Sequence, residues 1–128
     1  MVVKDKETIT RLSEAKSHGS TFLKNAPLAI VVCADTSKSD VWIEDASIAA
    51  VIIHLAAADL GLGSCWAQMR LRTRDDGTSA SDYISNILDL PEHIQVQAVM
   101  GIGHPLDELE GHDADTLLYD QVSYEKFS

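Results

Sequence analysis

The stretch LGLGSCWAQMR, residues 60–70, closes the most hydrophobic part of the chain and sets the order of its elements. Before it, EDASIAAVIIHLAAADLG (44–61) has acids at its start and Gly61 at its end, which predicts a helix that stops at a left-handed glycine. After the glycines, SCWAQM (64–69) predicts a short strand. A Rossmann glycine loop lies between a strand and a helix N-terminus, whereas these glycines face a helix carbonyl end that repels phosphate. Because G-K-[ST] is also absent, we exclude both phosphate loops.

Strand and helix patterns alternate on both sides of this stretch. Residues 2–4 predict a strand stub, and a helix is expected from the N-cap Asp5 to Gly19. The apolar runs APLAIVVCAD (26–35) and IQVQAVMGIG (94–103) predict buried strands. SASDYISNILDL (79–90) predicts a helix capped by Ser79 or Ser81. No repeat or linker divides the 128 residues, so we expect a single domain, 1–128.

Composition and charge exclude several classes of function. The net charge of -10, from 20 acids and 10 bases, opposes binding to nucleic acid or to an anionic membrane. The apolar run 46–58 is too short to span a bilayer, and the charged start MVVKDKE lacks a secretion-signal pattern. Cys33 and Cys65 lie separately in apolar runs, which predicts small buried side chains in a reducing compartment. We therefore expect a cytoplasmic protein.

The helix predicted from residue 44 is apolar on nearly every side. A domain of this size has difficulty covering such a helix alone, which favours a subunit interface. A central core helix in a monomer is the alternative. His54 on this helix is interpreted as a core or interface residue in preference to a ligand or base.

Three arginines alternate in RLRTR (70–74), and in an extended segment their side chains would share one side. Arg70, Arg72 and Arg74 thus form either a solvated edge or an anion site for a phosphorylated cofactor. The acidic run that contains His112 is interpreted as a solvated loop, so we predict no metal site.

Several segments together resemble one family. These are APLAIVVCAD, VWIEDASIAAVIIHLAAADLGLGSCWAQMRLR, ILDLPEHIQVQAVMGIGHP and LLYDQVSYEKF, which occur in order along nearly the whole chain. The combination of D-A-S-I-A-A, L-G-L-G-S-C-W and G-H-P is specific. The chain resembles the nitroreductase family of FMN-dependent oxidoreductases.

The resemblance implies an α+β fold, with a mostly antiparallel central sheet flanked by helices, in a homodimer with FMN at the subunit interface. The C-terminal arm, 105–128, would cross to the partner subunit. The strand after L-G-L-G would direct backbone amides at the flavin, which places Trp66, Ala67, Gln68 and Met69 beside it, with Arg70 next. Such amides would stabilise negative charge on the ring. Hydride chemistry would belong to the cofactor, so no catalytic side chain is predicted.

The chain departs from the family pattern at its start, which resembles a short form without the R-x-S-x-R segment that grips the FMN phosphate. The remaining candidates for that phosphate are Arg70, Arg72 and Arg74, with Lys126 on the arm. The expected function is hydride transfer from NAD(P)H through FMN to a small-molecule acceptor such as a nitro compound or quinone. The alternative is a flavin-free, non-catalytic dimeric domain.

Overall fold

The computed structural model describes residues 1–107 and 110–127. Within these ranges the chain forms strands β1 (Val2–Val3), β2 (Leu28–Asp35), β3 (Gly63–Gln68) and β4 (Ile94–Gly103). Its helices are α1 (Lys6–Ser13), α2 (Trp42–Asp59) and α3 (Ala80–Ile87). Short 3-10 helices cover Thr21–Asn25, Ala114–Thr116 and Tyr119–Gln121.

The four strands form one antiparallel sheet in the order β1-β2-β4-β3, so β1 and β3 are its edges. Helix α2 packs on one face, against Met100 and Ile102 of β4. Helices α1 and α3 cover the other face, where Leu12 and Ile84 are fully buried. The predicted α+β fold with a central antiparallel sheet is confirmed.

Helix α2 ends as its sequence predicts. Gly61 has φ +71°, in the left-handed region. Its amide donates to the Ala58 carbonyl at 3.0 Å, and the Leu62 amide donates to the Ala57 carbonyl at 2.8 Å. These two bonds form a Schellman motif, which reverses the chain from α2 directly into β3.

The two faces of α2 differ in side-chain size. The sheet-facing side is narrow, because its buried residues are alanines: Ala46, Ala50 and Ala57. The opposite side carries four larger residues at helical spacing, which we call the aliphatic stripe: Ile48, Val51, Ile52 and Leu55. Each of these four side chains is more than half exposed. The small residues thus pack on the sheet while the bulky residues point outward.

Two local predictions are wrong. Helix α1 ends at Ser13 and not at Gly19, because the amides of Glu14 and Ala15 bond three residues back, to Arg11 and Leu12, and tighten the last turn. Cys65 is exposed, and Cys33 is only partly buried. On the same face of β3 as Cys65, Ala67 is covered by the core, but Cys65 borders a depression of about 390 Å³.

No helix in the described part of the chain has the length and apolar character needed to cross a membrane.

Candidate functional site

The C-terminal end of β3 is shaped by an irregularity in the neighbouring strand. Along β2, Val32 pairs with Ala98 and Cys33 with Val96, so Gln97 is the extra residue of a β-bulge in β4. The Gln97 carbonyl accepts two amides, from Met69 and Arg70, each at 3.1 Å. Because one carbonyl accepts from both amides, the regular hydrogen-bond ladder between β3 and β4 stops here, and β3 ends at Gln68.

The outer edge of β3 carries backbone groups that no described strand pairs. Hydrogen-bonding groups alternate along an antiparallel strand, and the Met69 amide points at β4. The amides of Ser64, Trp66 and Gln68 therefore face the outer edge, while that of Ala67 faces β4. Of the four predicted flavin-facing residues, Trp66 and Gln68 present free-edge amides. Ala67 and Met69 have fully buried side chains and belong to the core beneath the site.

Side chains along this edge are joined to one another. Trp66 Nε1 donates to Gln68 Oε1 at 3.0 Å, and Gln68 Nε2 donates to the Arg70 carbonyl at 3.1 Å. The Arg70 guanidinium lies over the Trp42 ring, 5.9 Å from its centroid, at the start of α2. The structure thus brings Trp66, Gln68 and Arg70 together in one connected line.

The three arginines do not share one side of an extended segment, so that prediction is wrong. The chain turns at Leu71, which has φ +57°, and the Arg72 amide bonds back to the Met69 carbonyl at 3.0 Å. Arg74 points away, over the Tyr83 ring at 3.9 Å. Arg70 and Arg72 remain neighbours, since both line a cavity of about 520 Å³ beside the end of β3.

Buried polar groups at the bulge are not all satisfied within the described residues. Gln97 is 5% exposed, and its Nε2 donates to Ser47 Oγ on α2 at 3.1 Å. Its Oε1 is buried and has no hydrogen-bond partner in the described chain. Leaving a buried oxygen without a partner lowers the stability of the fold by about 1–3 kcal/mol. The Gln97 Oε1 therefore marks a place where a polar group outside these residues could donate a hydrogen bond.

The remaining predicted residues lie elsewhere. Lys126 is on an exposed arm and does not line the cavity at the end of β3. His54 is exposed on α2, where its Nδ1 hydrogen-bonds with Ser64 Oγ of β3. In the part of the chain that the structure describes, no group of three or more His, Cys, Asp or Glu residues is arranged to hold a metal ion.

Sequence reasoning missed the cations contributed by the loop after α1. Lys16 and His18 line a depression of about 370 Å³ together with Arg72. Burial, followed by the charge of Arg72, lowers the pKa of Lys16 below its usual value. A single lysine in a polar loop gives no sequence signal, since only the fold brings it to Arg72.

Comparisons with known proteins agree with this fold. The model of the nitroreductase family matches residues 2–104. A curated relative from Archaeoglobus fulgidus, named as a candidate NADH dehydrogenase/NAD(P)H nitroreductase, is 40% identical over 119 residues, covering 90% of this chain and 65% of its own length. One from Methanothermobacter thermautotrophicus with the same name is 34% identical over 111 residues, covering 84% and 54%. The chain thus spans less than two thirds of the length of either relative.

A solved structure also overlaps this chain closely in three dimensions. An FMN-dependent nitroreductase from Clostridium difficile R20291 superposes with a TM-score of 0.96 and 47% sequence identity, covering 99% of this chain and 74% of that one. The sheet, the helix α2 and the edge strand β3 are therefore those of the fold expected from the sequence. On the family match and the identity to these relatives, the chain belongs to the nitroreductase family.

Proposed function

We propose that this chain is part of an FMN-dependent oxidoreductase that moves hydride from NAD(P)H to a small-molecule acceptor, such as a nitro compound or a quinone. The observation that carries the proposal is the free outer edge of β3, where the amides of Trp66 and Gln68 point away from the sheet. The relatives' names, which include NAD(P)H nitroreductase and FMN-dependent nitroreductase, support it.

The residues present fit a flat, hydrogen-bonding cofactor. The free-edge amides of Trp66 and Gln68 are donors fixed by the ladder between β3 and β4, so they need no rearrangement to bind an acceptor atom. The unpaired Oε1 of Gln97 is an acceptor next to the same strand end. When bound, FMN supplies the hydride chemistry. The chain itself binds and orients the ring and stabilises negative charge with preorganised donors.

Arg70 and Arg72 are proposed to add positive charge at the end of the site. Arg70 is held by its contact with Trp42, and Arg72 lines the same cavity. The buried side chains of Ala67 and Met69 are proposed to fix the position of β3 by packing in the core under the site. Lys126 is proposed to contact the FMN phosphate only if the arm of one subunit reaches the flavin site of its partner.

We also propose a homodimer. The aliphatic stripe of α2 is an apolar surface that one described subunit leaves exposed, and a two-fold contact would cover it. Bulky residues on the arm, among them Leu118, Tyr124 and Phe127, are exposed as well. This supports our prediction that the arm, 105–128, packs on the partner. Residues 108, 109 and 128 of that range lie outside the described residues.

A cytoplasmic location and the absence of nucleic-acid and membrane partners remain predictions from the acidic composition and the two separate cysteines. Both cysteines are free thiols in the described structure, as a reducing compartment would favour.

The direct test is flavin binding and its reduction. Purified protein titrated with FMN should quench flavin fluorescence saturably, and NADH or NADPH should bleach the yellow complex under anaerobic conditions. A colourless protein that takes up no FMN refutes the proposal and favours the flavin-free alternative.

A matched pair of variants isolates the amide of Gln68. Gln68→Ala removes the side chain and keeps the amide, whereas Gln68→Pro also removes the amide without loss of a ladder bond, since that amide faces outward. Loss of one preorganised donor costs about 10²–10³ in kcat. The kcat of Gln68→Pro should therefore be far lower than that of Gln68→Ala. Ser64→Pro, at the other end of β3, is the control for the effect of a proline on this edge strand. Equal rates for the two Gln68 variants would refute the role of this amide.

A further inference from the structure

The loop after α1 is fastened to the segment that follows β3. Ser17 donates its amide and its hydroxyl to the Thr73 carbonyl, each at 3.3 Å. Arg74 Nη1 donates to the Glu14 carbonyl at 2.9 Å. These bonds hold the side chains of residues 16–18 opposite that of Arg72 in a defined arrangement.

Lys16 is held close to the backbone within this arrangement. The chain turns at Gly19, which has φ +76°, and Lys16 Nζ lies beside it, 3.5 Å from where a Cβ would stand. Lys16 is partly buried, unlike a lysine that extends into solvent. Burial lowers the pKa of Lys16, and the positive charge of Arg72 lowers it further.

The cations here lack carboxylate partners. The ion pairs found among the described residues join Lys38 to Asp35, Arg74 to Asp76 and His93 to Asp35. None of them includes Lys16 or Arg72. Glu14, Asp75 and Asp76 line a neighbouring depression that Lys16 also borders, but none of them forms an ion pair with Lys16 among the described residues. The charge of Arg72 disfavours the charged form of Lys16, and an anion bound between the two side chains would relieve this repulsion.

We propose that Lys16, His18 and Arg72 form a binding site for a phosphate group carried by a nucleotide. A guanidinium, an ammonium group and an imidazole around a depression of about 370 Å³ match the oxygens of a phosphate, and Ser17 lines the same depression. Arg72 also lines the cavity that reaches Arg70 at the end of β3, so the phosphate site adjoins the free edge.

The identity of the molecule that carries the phosphate rests on the proposed function. The phosphate is either that of FMN or the 2′-phosphate of NADPH. The phosphate site itself does not rest on that function, since an inorganic anion tests it alone. The probe is inorganic pyrophosphate, titrated by calorimetry at low ionic strength into the full chain. Lys16→Gln and Arg72→Gln should each weaken binding about tenfold or more, as loss of a charge-assisted bond does.

Lys38→Gln is the matched control. It changes the net charge by the same amount, but Lys38 is an exposed residue paired with Asp35 in another loop. It should bind pyrophosphate as the wild type does, and thermal melts should show all three variants folded. Absence of saturable binding in the wild type, or equal binding by the three variants, overturns the site.

Two further measurements identify the nucleotide that carries the phosphate. A loss of affinity for FMN but not riboflavin in the Lys16 and Arg72 variants assigns the site to the flavin phosphate. A rise in KM for NADPH but not NADH assigns it to the donor. If neither changes, a nucleotide source is refuted. A colourless protein that still binds pyrophosphate through these residues refutes the proposed oxidoreductase and leaves the phosphate site standing.

Discussion

Substitution of Ile52 by lysine on the aliphatic stripe of α2 should separate a dimer without unfolding the chain. Ile52 is 60% exposed, and its neighbours Ile48, Val51 and Leu55 are 59%, 51% and 62% exposed. Lysine is a good helix former, and its ammonium group would lie in solvent in the isolated subunit. The variant therefore removes apolar surface from an interface while leaving the contact between α2 and the sheet intact.

The size of the effect follows from the exposure. Full burial of a Val, Leu or Ile side chain stabilises by about 1.5–3 kcal/mol, and about half of that remains available at each stripe position. Four positions on two symmetric subunits then contribute about 6–12 kcal/mol, against an association cost of about 4–15 kcal/mol. Losing Ile52 from both subunits removes about 1.5–3 kcal/mol, which raises the dimer Kd roughly 10- to 150-fold.

Sedimentation equilibrium over a wide range of concentration measures this change. The matched control is Val2→Lys, since Val2 is 65% exposed on β1, at the sheet edge opposite β3. It should dimerise as the wild type does. A wild type that is monomeric at high concentration, or an Ile52→Lys variant with an unchanged dimer Kd, would refute the assignment of this stripe to a two-fold interface.

Three further predictions concern stability. Gly61→Ala should lower the free energy of unfolding by about 1–2 kcal/mol, because φ +71° strains any side chain although the space around it is open. Ala50→Leu should cost about 1–3 kcal/mol, since Ala50 is fully buried between α2 and the sheet. The hydrogen bonds from Ser37, chiefly from its hydroxyl, lower the pKa of Asp35 from 3.8 to about 2. The stability that Asp35 contributes is therefore present above about pH 4 and is lost as the pH falls towards 2.

Urea unfolding measures all three, each with its own control. Gly111→Ala should have little effect, because no left-handed backbone is recorded at Gly111 and its surroundings are open. Val51→Leu, on the exposed side of α2, should be tolerated where Ala50→Leu is not. Asp35→Asn should flatten the dependence of stability on pH between 4 and 2. An Asp35→Asn variant with the wild-type dependence would show that other carboxyl groups account for it.

Much of the local structure was readable in the sequence because its causes are local. Asp5 and Ser79 cap α1 and α3 through hydrogen bonds to amides three residues on, which involve only neighbours in the chain. Gly61 ends α2 for the same reason. The long apolar runs of β2 and β4 reflect burial on both faces. The all-round apolar pattern of α2 is matched by large aliphatic side chains that remain exposed on its outer side.

The arrangement of the site was decided by contacts between distant segments. Only the strand order makes β3 an edge, and only the bulge at Gln97 draws the amides of Met69 and Arg70 to one carbonyl and ends the strand. The alternation in RLRTR was misleading for this reason, since the chain turns at Leu71. The pairing that sets Lys16 beside Arg72 depends on the Ser17–Thr73 hydrogen bond, which spans 56 residues. By itself, the sequence determined the order of the elements, the caps that begin α1 and α3, the end of α2 and the family. The tertiary structure decided which amides stay free and which cations meet, because both depend on what packs against them.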